Sequence, residues 1–320
     1  MRPKEAAMEP LVPKCFLLPI DGTEESLKPV SFLKSLYPNR EHLGLILSYF
    51  VPPLPPIYRE RPDSEAMAKK KLEIVHSRQE DARAILSAAR KVLIEAGFSE
   101  DTIQEHVEAK ELSSAHHACR LADIRKVDAV IVQKRIGSGL EGLLRGDPAP
   151  ALLHHCLVSP VWMNEGEADT SRAAICLQNE NASLRAADHA AFMLAETRAH
   201  VTVLHASRSV ASPITSRGLE PNDQIGKWLA TPEGRELRPF LTEACSILMK
   251  EGIECERAQI ALIPAGRHAS TNILAYCRDQ AIGIVVLGHS SPGGTWGFLK
   301  SSITKKILAE FKNMAVWVAQ

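Results

Sequence analysis

Val130-Ile131-Val132 is a continuous apolar run that recurs 155 residues later (285 − 130) as Val285-Val286-Leu287. The same offset relates Val161-Trp162 to Val316-Trp317, and between these segments it also aligns two glycines without a gap. Chance similarity between apolar strands explains one such match, but not an ordered set. The chain is therefore predicted to contain two copies of one domain.

The repeat extends to the beginning of each half, where the offset becomes 157 and Ser26-Leu27 matches Ser183-Leu184. Small insertions in loops produce a change of this kind. The chain has 320 residues, which is enough for two domains of ordinary size. We predict a first domain over residues 12–165 and a second over residues 171–320.

Each half alternates short apolar runs with stretches of helical spacing. The runs predicted as strands lie at 15–20, 43–50, 102–107 and 129–132 in the first half and at 173–177, 200–205, 253–258, 282–287 and 315–318 in the second. Helices are predicted at 26–36, 66–96 and 113–124, and between the strands of the second half. Continuous Val, Ile and Leu runs are typical of parallel sheets covered on both faces. The predicted fold class is α/β: two tandem doubly wound domains, each with a mostly parallel five-stranded sheet flanked by helices.

The composition is that of a folded globular protein, with 45% hydrophobic and 24% charged residues. Thirty-eight basic and 38 acidic side chains give a net charge of zero, so no overall charge attracts the protein to nucleic acid or anionic lipid. No stretch is long and apolar enough to span a bilayer. Seven cysteines are scattered without a C-x-x-C pair, which predicts free thiols in a reducing compartment. We expect a cytoplasmic protein that binds neither nucleic acid nor membranes.

In doubly wound sheets, ligands bind at the carboxyl ends of the strands, where the strand order reverses. Two loops of each half are predicted to meet there. One follows the first strand, at Asp21-Gly22-Thr23 in the first half and Gln178-Asn179-Glu180 in the second. The other is the glycine-containing loop that follows the fourth strand.

At these loops the sequence resembles the universal stress protein family, which includes tandem-domain members. Residues 18–26 (LPIDGTEES) are similar to that family's opening strand and Asp-Gly-Ser turn. In its nucleotide-binding members the late loop has a glycine, two residues, a glycine, nine residues, then Gly-Ser and a hydroxyl residue two positions further. The second half matches this spacing, with serine at two glycine positions, through Gly288, Ser291, Ser301, Ser302 and Thr304. The resemblance implies a Rossmann-like fold of the adenine-nucleotide alpha-hydrolase-like type and a role in the stress response.

The first half retains only part of the family's binding site. Asp21 corresponds to a residue that contacts the adenosine part of the ligand in binding members. The late-loop positions are instead occupied by Gln133, Ile136, Gly146 and Asp147, so the phosphate-binding part is lost. The alternative for Asp21 is an ordinary turn residue before Gly22.

The second half retains the complementary part. Ser301, Ser302 and Thr304 can donate hydrogen bonds to phosphate oxygens, and Lys300, Lys305 and Lys306 add positive charge nearby. Gln178 replaces the aspartate, and an amide can still hydrogen-bond a base or ribose. Gly266, in Gly266-Arg267-His268, resembles the family's loop that lies close to the nucleotide. The alternative is that the serines cap a helix and that the lysines and Arg267 are solvated.

Two histidine and cysteine clusters, at 116–119 and 154–156, contain zinc-ligand residue types. Adjacent histidines on a helix point in different directions, which favours surface histidines beside small buried cysteines over a metal site. Common hydrolase and kinase motifs are absent from the sequence. The sequence therefore favours a non-enzymatic regulatory or binding protein over an enzyme.

We expect the second domain to bind ATP or another adenine nucleotide weakly, with Mg²⁺. A slow ATP hydrolase and a nucleotide-free interaction scaffold remain alternatives. The strands carrying Val161-Trp162 and Val316-Trp317 either form an exposed patch or pair with each other across the halves. Pairing would make an intramolecular pseudo-dimer. The protein partner is unknown, and a homodimer is left open.

Overall fold

The computed structural model describes residues 13–134, 155–156, 158–289 and 302–320. In these ranges eleven strands form one continuous sheet. The strands of the first half are β1 Cys15–Pro19, β2 Gly44–Val51, β3 Ile103–Ala109, β4 Ala129–Gln133 and β5 Val161–Glu165. Those of the second half are β6 Arg172–Cys176, β7 His200–Ser207, β8 Ile214–Thr215, β9 Ala258–Pro264, β10 Ile284–Gly288 and β11 Met314–Ala319.

The strand order across the sheet is β3-β2-β1-β4-β5-β11-β10-β6-β7-β9-β8. Within each half the neighbouring strands are parallel, except that the short β8 runs antiparallel to β9 at the outer edge. The two halves meet where β5 pairs antiparallel with β11. Read outward from this join, each half places its fifth, fourth, first, second and third repeated strands in the same order. The predicted α/β fold class is confirmed, and the two predicted sheets are continuous with each other.

Eight α-helices of the described residues cover the two faces of the sheet. They are α1 Lys28–Leu36, α2 Glu65–Glu95, α3 Ser114–Arg125, α4 Asn181–Leu194, α5 Asp223–Leu229, α6 Pro232–Lys250, α7 Ala269–Asp279 and α8 Ser302–Glu310. Side chains of α1, α2, α4, α5 and α6 pack in one core, and those of α3, α7 and α8 pack in another on the opposite face. Both faces of the parallel strands are therefore buried, as the continuous apolar runs predict.

The join between the halves is a buried part of the core. Trp162 on β5 lies opposite Trp317 on β11, and their rings stack with centroids 3.7 Å apart and planes inclined by 2°. Both residues are 0% exposed. Trp162 Nε1 donates a hydrogen bond to His189 Nε2 on α4 at 2.9 Å. The Val-Trp strands thus pair across the halves rather than forming an exposed patch.

Polar contacts also cross from one half to the other. The Tyr37 hydroxyl donates to the Met193 carbonyl at 3.0 Å, and both groups are buried. Lys14, 1% exposed, forms an ion pair with Glu196, and the other carboxylate oxygen of Glu196 contacts His42 at 2.7 Å. The end of α4 is therefore fixed against the first half by specific hydrogen bonds as well as by apolar packing.

Because burial lowers the pKa of His189 to about 4, we expect acid to weaken the join. Between about pH 6.5 and pH 4 the unfolded chain binds a proton at this position and the folded chain does not, so the stability falls as the pH falls. His189 is partly buried by surface area, which reduces the expected loss to about 2 kcal/mol between pH 7 and pH 4.5. Urea unfolding at a series of pH values measures it.

The matched variants are His189→Gln, which can still accept the Trp162 hydrogen bond, and His76→Gln at an exposed position of α2. We expect the pH dependence to flatten in the first and to stay unchanged in the second. An equally steep dependence in His189→Gln would assign the effect to other groups.

The strand predicted at 253–258 is wrong. Ile253 is a single buried residue after α6, residues Cys255–Arg257 form one turn of 3-10 helix, and the strand begins at Ala258. The sequence does not separate this isolated apolar anchor from the apolar run of the strand that follows it. The short β8 is not predicted from the sequence, since two strand residues give no periodic signal.

The prediction of free cysteines is wrong for one pair. Cys119 on α3 and Cys156 form a disulfide bond across a sequence separation of 37 residues. Cys15, Cys176, Cys245, Cys255 and Cys277 carry free thiols. The pairing is not visible in the sequence because the two cysteines meet only after the fold brings α3 beside the segment before β5.

His117 is also not the surface histidine that the sequence suggested. It is 3% exposed, its Nε2 accepts hydrogen bonds from the backbone N–H groups of Glu111 and Leu112, and its Nδ1 contacts Glu108 at 3.1 Å. His117 therefore fixes the loop between β3 and α3. Within the described residues no group of three or more potential ligand side chains is placed to hold a metal ion.

Candidate functional site

The strand order of the second half reverses between β10 and β6, which are adjacent and parallel. Gly288 ends β10, and Gln178 lies two residues beyond the end of β6. The two predicted site residues therefore lie on either side of the crevice where doubly wound sheets bind ligands.

Gly288 is required by packing at this crevice. A Cβ atom at Gly288 would lie 2.1 Å from the carbonyl oxygen of Ala182 and 2.8 Å from the backbone nitrogen of Ser183. These atoms belong to the first turn of α4, so any side chain at residue 288 would push this helix away from the sheet. The glycine lets the helix approach the sheet closely, a need that exists with or without a bound nucleotide.

The loop after the first strand has the same hydrogen bond in both halves. The backbone N–H of Gln178 donates to Ser183 Oγ at 2.8 Å, and the backbone N–H of Asp21 donates to Ser26 Oγ at 3.4 Å. Both pairs are related by the offset of 157 (178 − 21 and 183 − 26). The repeat therefore extends to individual side-chain contacts at the candidate site.

Asp21 has the contacts of a turn residue. Its Oδ1 accepts hydrogen bonds from the backbone N–H of Thr23 at 3.0 Å and from the Thr23 hydroxyl at 2.6 Å. Gly22 follows with φ +85° in the left-handed region, and a Cβ there would come within 3.1 Å of Ile85 on α2. These contacts agree with the structural alternative, in which Asp21 stabilises the turn.

The loop after β9 lies beside the start of α8. Gly266 has φ +54°, and a Cβ there would lie 2.7 Å from Asn272 Nδ2, which donates to the Pro264 carbonyl at 2.9 Å. His268 Nδ1 is 3.3 Å from Lys306 Nζ. The structure thus brings the predicted loop of Gly266 next to the predicted helix of Ser302 and Thr304.

Helix α8 begins at Ser302, and Thr304, Lys305 and Lys306 lie in its first turns. Lys305 is exposed, whereas Thr304 and Lys306 are partly buried. Arg267, in the neighbouring loop, is exposed. Ser291 and Ser301 lie outside the described residues, as do Ile136, Gly146, Asp147 and Lys300. The described part of the predicted phosphate site therefore combines a helix N-terminus with three cationic side chains.

A polar cluster at the end of β7 was missed by the sequence reasoning. Glu233 accepts hydrogen bonds from the hydroxyls of Ser207 at 2.8 Å and Ser209 at 2.7 Å, and Trp228 Nε1 donates to both hydroxyls. Burial raises the pKa of Glu233, but the hydrogen bonds from Ser209, the Arg208 backbone and Ser207 outweigh it and hold that pKa below its usual value. Glu233 is therefore an ionised, hydrogen-bonded group of the folded protein.

His205 connects this cluster to the crevice. Its Nδ1 lies 2.9 Å from the carbonyl oxygen of Leu177, the residue before Gln178, and its Nε2 lies 3.9 Å from Glu233. Burial lowers the pKa of His205, so the ring is neutral near pH 7. His205 and Ser207 lie within a strand, Ser209 follows it, and Glu233 lies in the first turn of a distant helix. These positions share no spacing in the sequence that would predict the cluster.

Arg185 braces the same edge from α4. Its Nε donates to the carbonyl oxygen of Gln320 at 2.6 Å, and its Nη2 donates to the carbonyl oxygen of His289 at 3.0 Å. One guanidinium therefore ties together the chain segments that follow β10 and β11.

No described helix is long and apolar enough to cross a bilayer.

Comparison with known proteins matches the universal stress protein family to residues 14–163. A search of curated proteins found no match. Among solved structures, a universal stress protein from Archaeoglobus fulgidus DSM 4304 is 14% identical over 96% of both chains, with a TM-score of 0.61. A functionally unknown protein from Pseudomonas aeruginosa PAO1 is 14% identical over 97% of this chain and 93% of its own, with a TM-score of 0.50.

At these identities the solved structures show a shared fold, and their coverage extends over both halves of this chain. The family match runs from the residue before β1 to the middle of β5. The residues that suggested the family, 18–26, lie inside the matched range. The first half of the chain, residues 14–163, is therefore a universal stress protein domain.

Proposed function

We propose that this protein is a cytoplasmic, non-enzymatic stress-response regulator whose second half binds ATP or another adenine nucleotide weakly. The observation that carries the proposal is the convergence of separate elements at one edge. Gln178 and Gly288 flank the reversal of strand order, and the His268–Lys306 contact brings the loop after β9 to the start of α8. Nucleotide binding would alter the surface of this edge, and a protein partner would respond to the altered surface.

The charges at the edge support an anionic ligand. Lys305, Lys306 and Arg267 are grouped at the start of α8 and the adjacent loop, and the helix N-terminus adds partial positive charge. Thr304 supplies a hydroxyl on the first turn. The triphosphate and its Mg²⁺ belong at this end of the site, and the base belongs toward Gln178.

The first half is not part of the proposed site, and the cation that follows its fourth strand is not available to a ligand. Lys134 follows β4 as His289 follows β10, and its ammonium group lies 4.2 Å from the Phe311 ring centroid and 3.4 Å from Glu165. Lys134 is 9% exposed. Its charge is therefore neutralised within the join between the halves.

Calorimetry of the full chain with ATP and Mg²⁺ tests the proposal. We expect a dissociation constant in the range of about 10–100 μM, and a severalfold weaker constant for Lys306→Gln, because one phosphate contact is lost. Lys91→Gln, an exposed change on α2, and Asp21→Asn serve as controls that leave the affinity unchanged. Gly288→Val is not a suitable variant, since it disrupts the packing of α4.

The absence of heat with ATP, ADP and AMP up to about 1 mM would favour the nucleotide-free scaffold. An unchanged affinity in Lys306→Gln, or a loss in Asp21→Asn, would place the nucleotide elsewhere. Phosphate release at saturating ATP tests the slow-hydrolase alternative. Glu233, the α6 carboxylate that contacts the end of β7, already accepts several hydrogen bonds, so we expect no release above that of a buffer control.

A further inference from the structure

A pocket of about 450 Å³ opens at the opposite edge of the second half, where β6, β7 and β9 begin. Its volume is within the range of pockets that hold small molecules. Arg172, His200 and Ala258, the first residues of the three strands, line it together with Arg217. The pocket lies at the amino ends of the strands and the proposed nucleotide site at their carboxyl ends, so the length of the strands separates the two.

An insertion that the first half lacks builds one wall of this pocket. The short β8 pairs with β9 through Ile214↔Leu262 and Thr215↔Ala261, and carries the chain toward the amino end of β9. In the first half, the described segment between β2 and α2 contains only the 3-10 helix Pro56–Tyr58. The wall is therefore specific to the second half.

The residues after β8 are held firmly. The backbone N–H of Ser216 donates to the Ile260 carbonyl at 2.9 Å, and the Ser216 hydroxyl accepts from the Ile260 N–H at 2.8 Å and donates to the Gly218 carbonyl at 2.6 Å. Gly218 has φ +76° in the left-handed region. Arg217, between them, therefore extends from a rigid turn into the pocket lining.

The pocket carries an excess of positive charge. Arg172, Arg217 and Arg257 line it with His200, while Glu256 supplies the one acidic side chain of the lining. Arg172 and Arg217 are exposed, so water screens their repulsion, and their N–H groups remain accessible to a bound anion. The charge distribution therefore favours an anionic ligand.

The protein itself balances only part of this charge. Arg257 donates to the carbonyl oxygens of Leu194, the last residue of α4, and of Ala199, which precedes β7. Arg172 Nη1 donates to the Gln280 carbonyl at 2.9 Å. Among the described residues, the side chains of Arg217 and His200 have no hydrogen-bond or ion-pair partner. The remaining N–H groups of Arg172 and the whole head group of Arg217 are available to a ligand.

Uncharged polar groups line the rest of the cavity. Gln259 Nε2 donates to the Thr202 hydroxyl at 3.1 Å, and Ser216 and Gln280 complete this side. Hydroxyl and amide groups of this kind bind the hydroxyl groups of a polar ligand body. A simple inorganic anion would leave them unused.

The equivalent corner of the first half satisfies its charged groups through contacts within the protein. The offset of 155 places Asp128 at the position of Gly283, and its carboxylate accepts a hydrogen bond from the Cys15 backbone N–H at 2.7 Å. Arg125 bonds Gln104, which corresponds to Gln259. The lining with three arginines is therefore present in the second half only, among the described residues.

We propose that this pocket binds a small phosphorylated polyol, of the sugar-phosphate class, with Arg217 and Arg172 on the phosphate and the amide and hydroxyl side chains on the sugar. The site is independent of the nucleotide edge. The protein would therefore have a second ligand-binding site, distinct from the proposed nucleotide site.

Calorimetry of the full chain with ribose 5-phosphate tests the proposal, with ribose and inorganic phosphate as partial probes. We expect ribose 5-phosphate to bind more tightly than either part. Arg217→Gln should weaken its binding by about tenfold or more, because a charge-assisted contact is lost. Arg217 lacks partners among the described residues, so this variant should fold as the native chain does, which thermal unfolding checks.

Arg83→Gln, an exposed change on α2, is the matched control and should leave the affinity unchanged. The proposal is overturned if ribose 5-phosphate does not bind at about 10 mM. It is also overturned if both Arg217→Gln and Arg172→Gln bind as the native chain does, or if Lys306→Gln weakens the binding instead. The last result would assign the ligand to the nucleotide edge, so failure here leaves the proposed function separately tested.

Discussion

Trp317→Ala is expected to lower the free energy of unfolding by about 3–5 kcal/mol, the cost of removing a large aromatic side chain from a packed core. Trp317 is 0% exposed and stacks on Trp162 at 3.7 Å, and the pair forms the centre of the β5–β11 join. Truncating one ring leaves a cavity between the halves and removes the stacking partner of the other. Urea unfolding followed by circular dichroism measures the loss.

Leu72→Ala, at a residue that is 70% exposed on α2, is the control and should change the stability by less than about 0.5 kcal/mol. The double variant Trp162→Ala, Trp317→Ala should lose less than the sum of the two single losses, because the rings contact each other. A loss below about 1 kcal/mol in Trp317→Ala would mean that the halves do not share this core.

Cys119→Ala is expected to lower the free energy of unfolding by about 4 kcal/mol under non-reducing conditions. The Cys119–Cys156 disulfide closes a loop with a sequence separation of 37 residues, and removing it restores the conformational freedom of that loop in the unfolded chain. Chemical unfolding with and without reductant measures the effect. Reductant should destabilise the native chain by a similar amount and leave the variant unchanged.

Cys255→Ala is the control, because Cys255 is exposed and carries a free thiol. Its stability should equal that of the native chain. Equal stability of Cys119→Ala and native protein, or mass spectrometry that finds seven free thiols in unreduced protein, would contradict the disulfide. The disulfide also removes the cysteine argument for a reducing compartment, so the cytoplasmic proposal rests on the family.

The repeat was the most informative feature of the sequence, and its offset even specifies a pairing in the structure. Trp162 and Trp317 are equivalent residues in the two halves, and they lie opposite each other in the antiparallel β5–β11 pair. Two copies related by a pseudo-twofold axis bring a residue on that axis beside its own equivalent. The fold class could be predicted from the alternation of strands and helices, whereas the sequence left the join open between strand pairing and an exposed patch.

The candidate site was less predictable, because a residue type does not reveal which neighbour requires it. Gly288 fits a phosphate loop in sequence, yet its lack of a side chain is explained by the first turn of α4. Asp21 matches the family's ligand contact, and it stabilises a turn through Thr23. The cationic pocket near Arg217 depends on β8, whose two residues give no periodic signal. Contacts between distant segments decide each of these cases.

Hydrogen–deuterium exchange of the full chain with and without ATP and Mg²⁺ tests most directly whether the second half, and not the first, holds the nucleotide. We predict that ATP slows exchange in peptides covering 265–268 and 302–310, and that peptides covering 19–27 exchange at the same rate with and without it. Slower exchange at 19–27 with no change at 265–268 and 302–310 would contradict the assignment of the site to the second half.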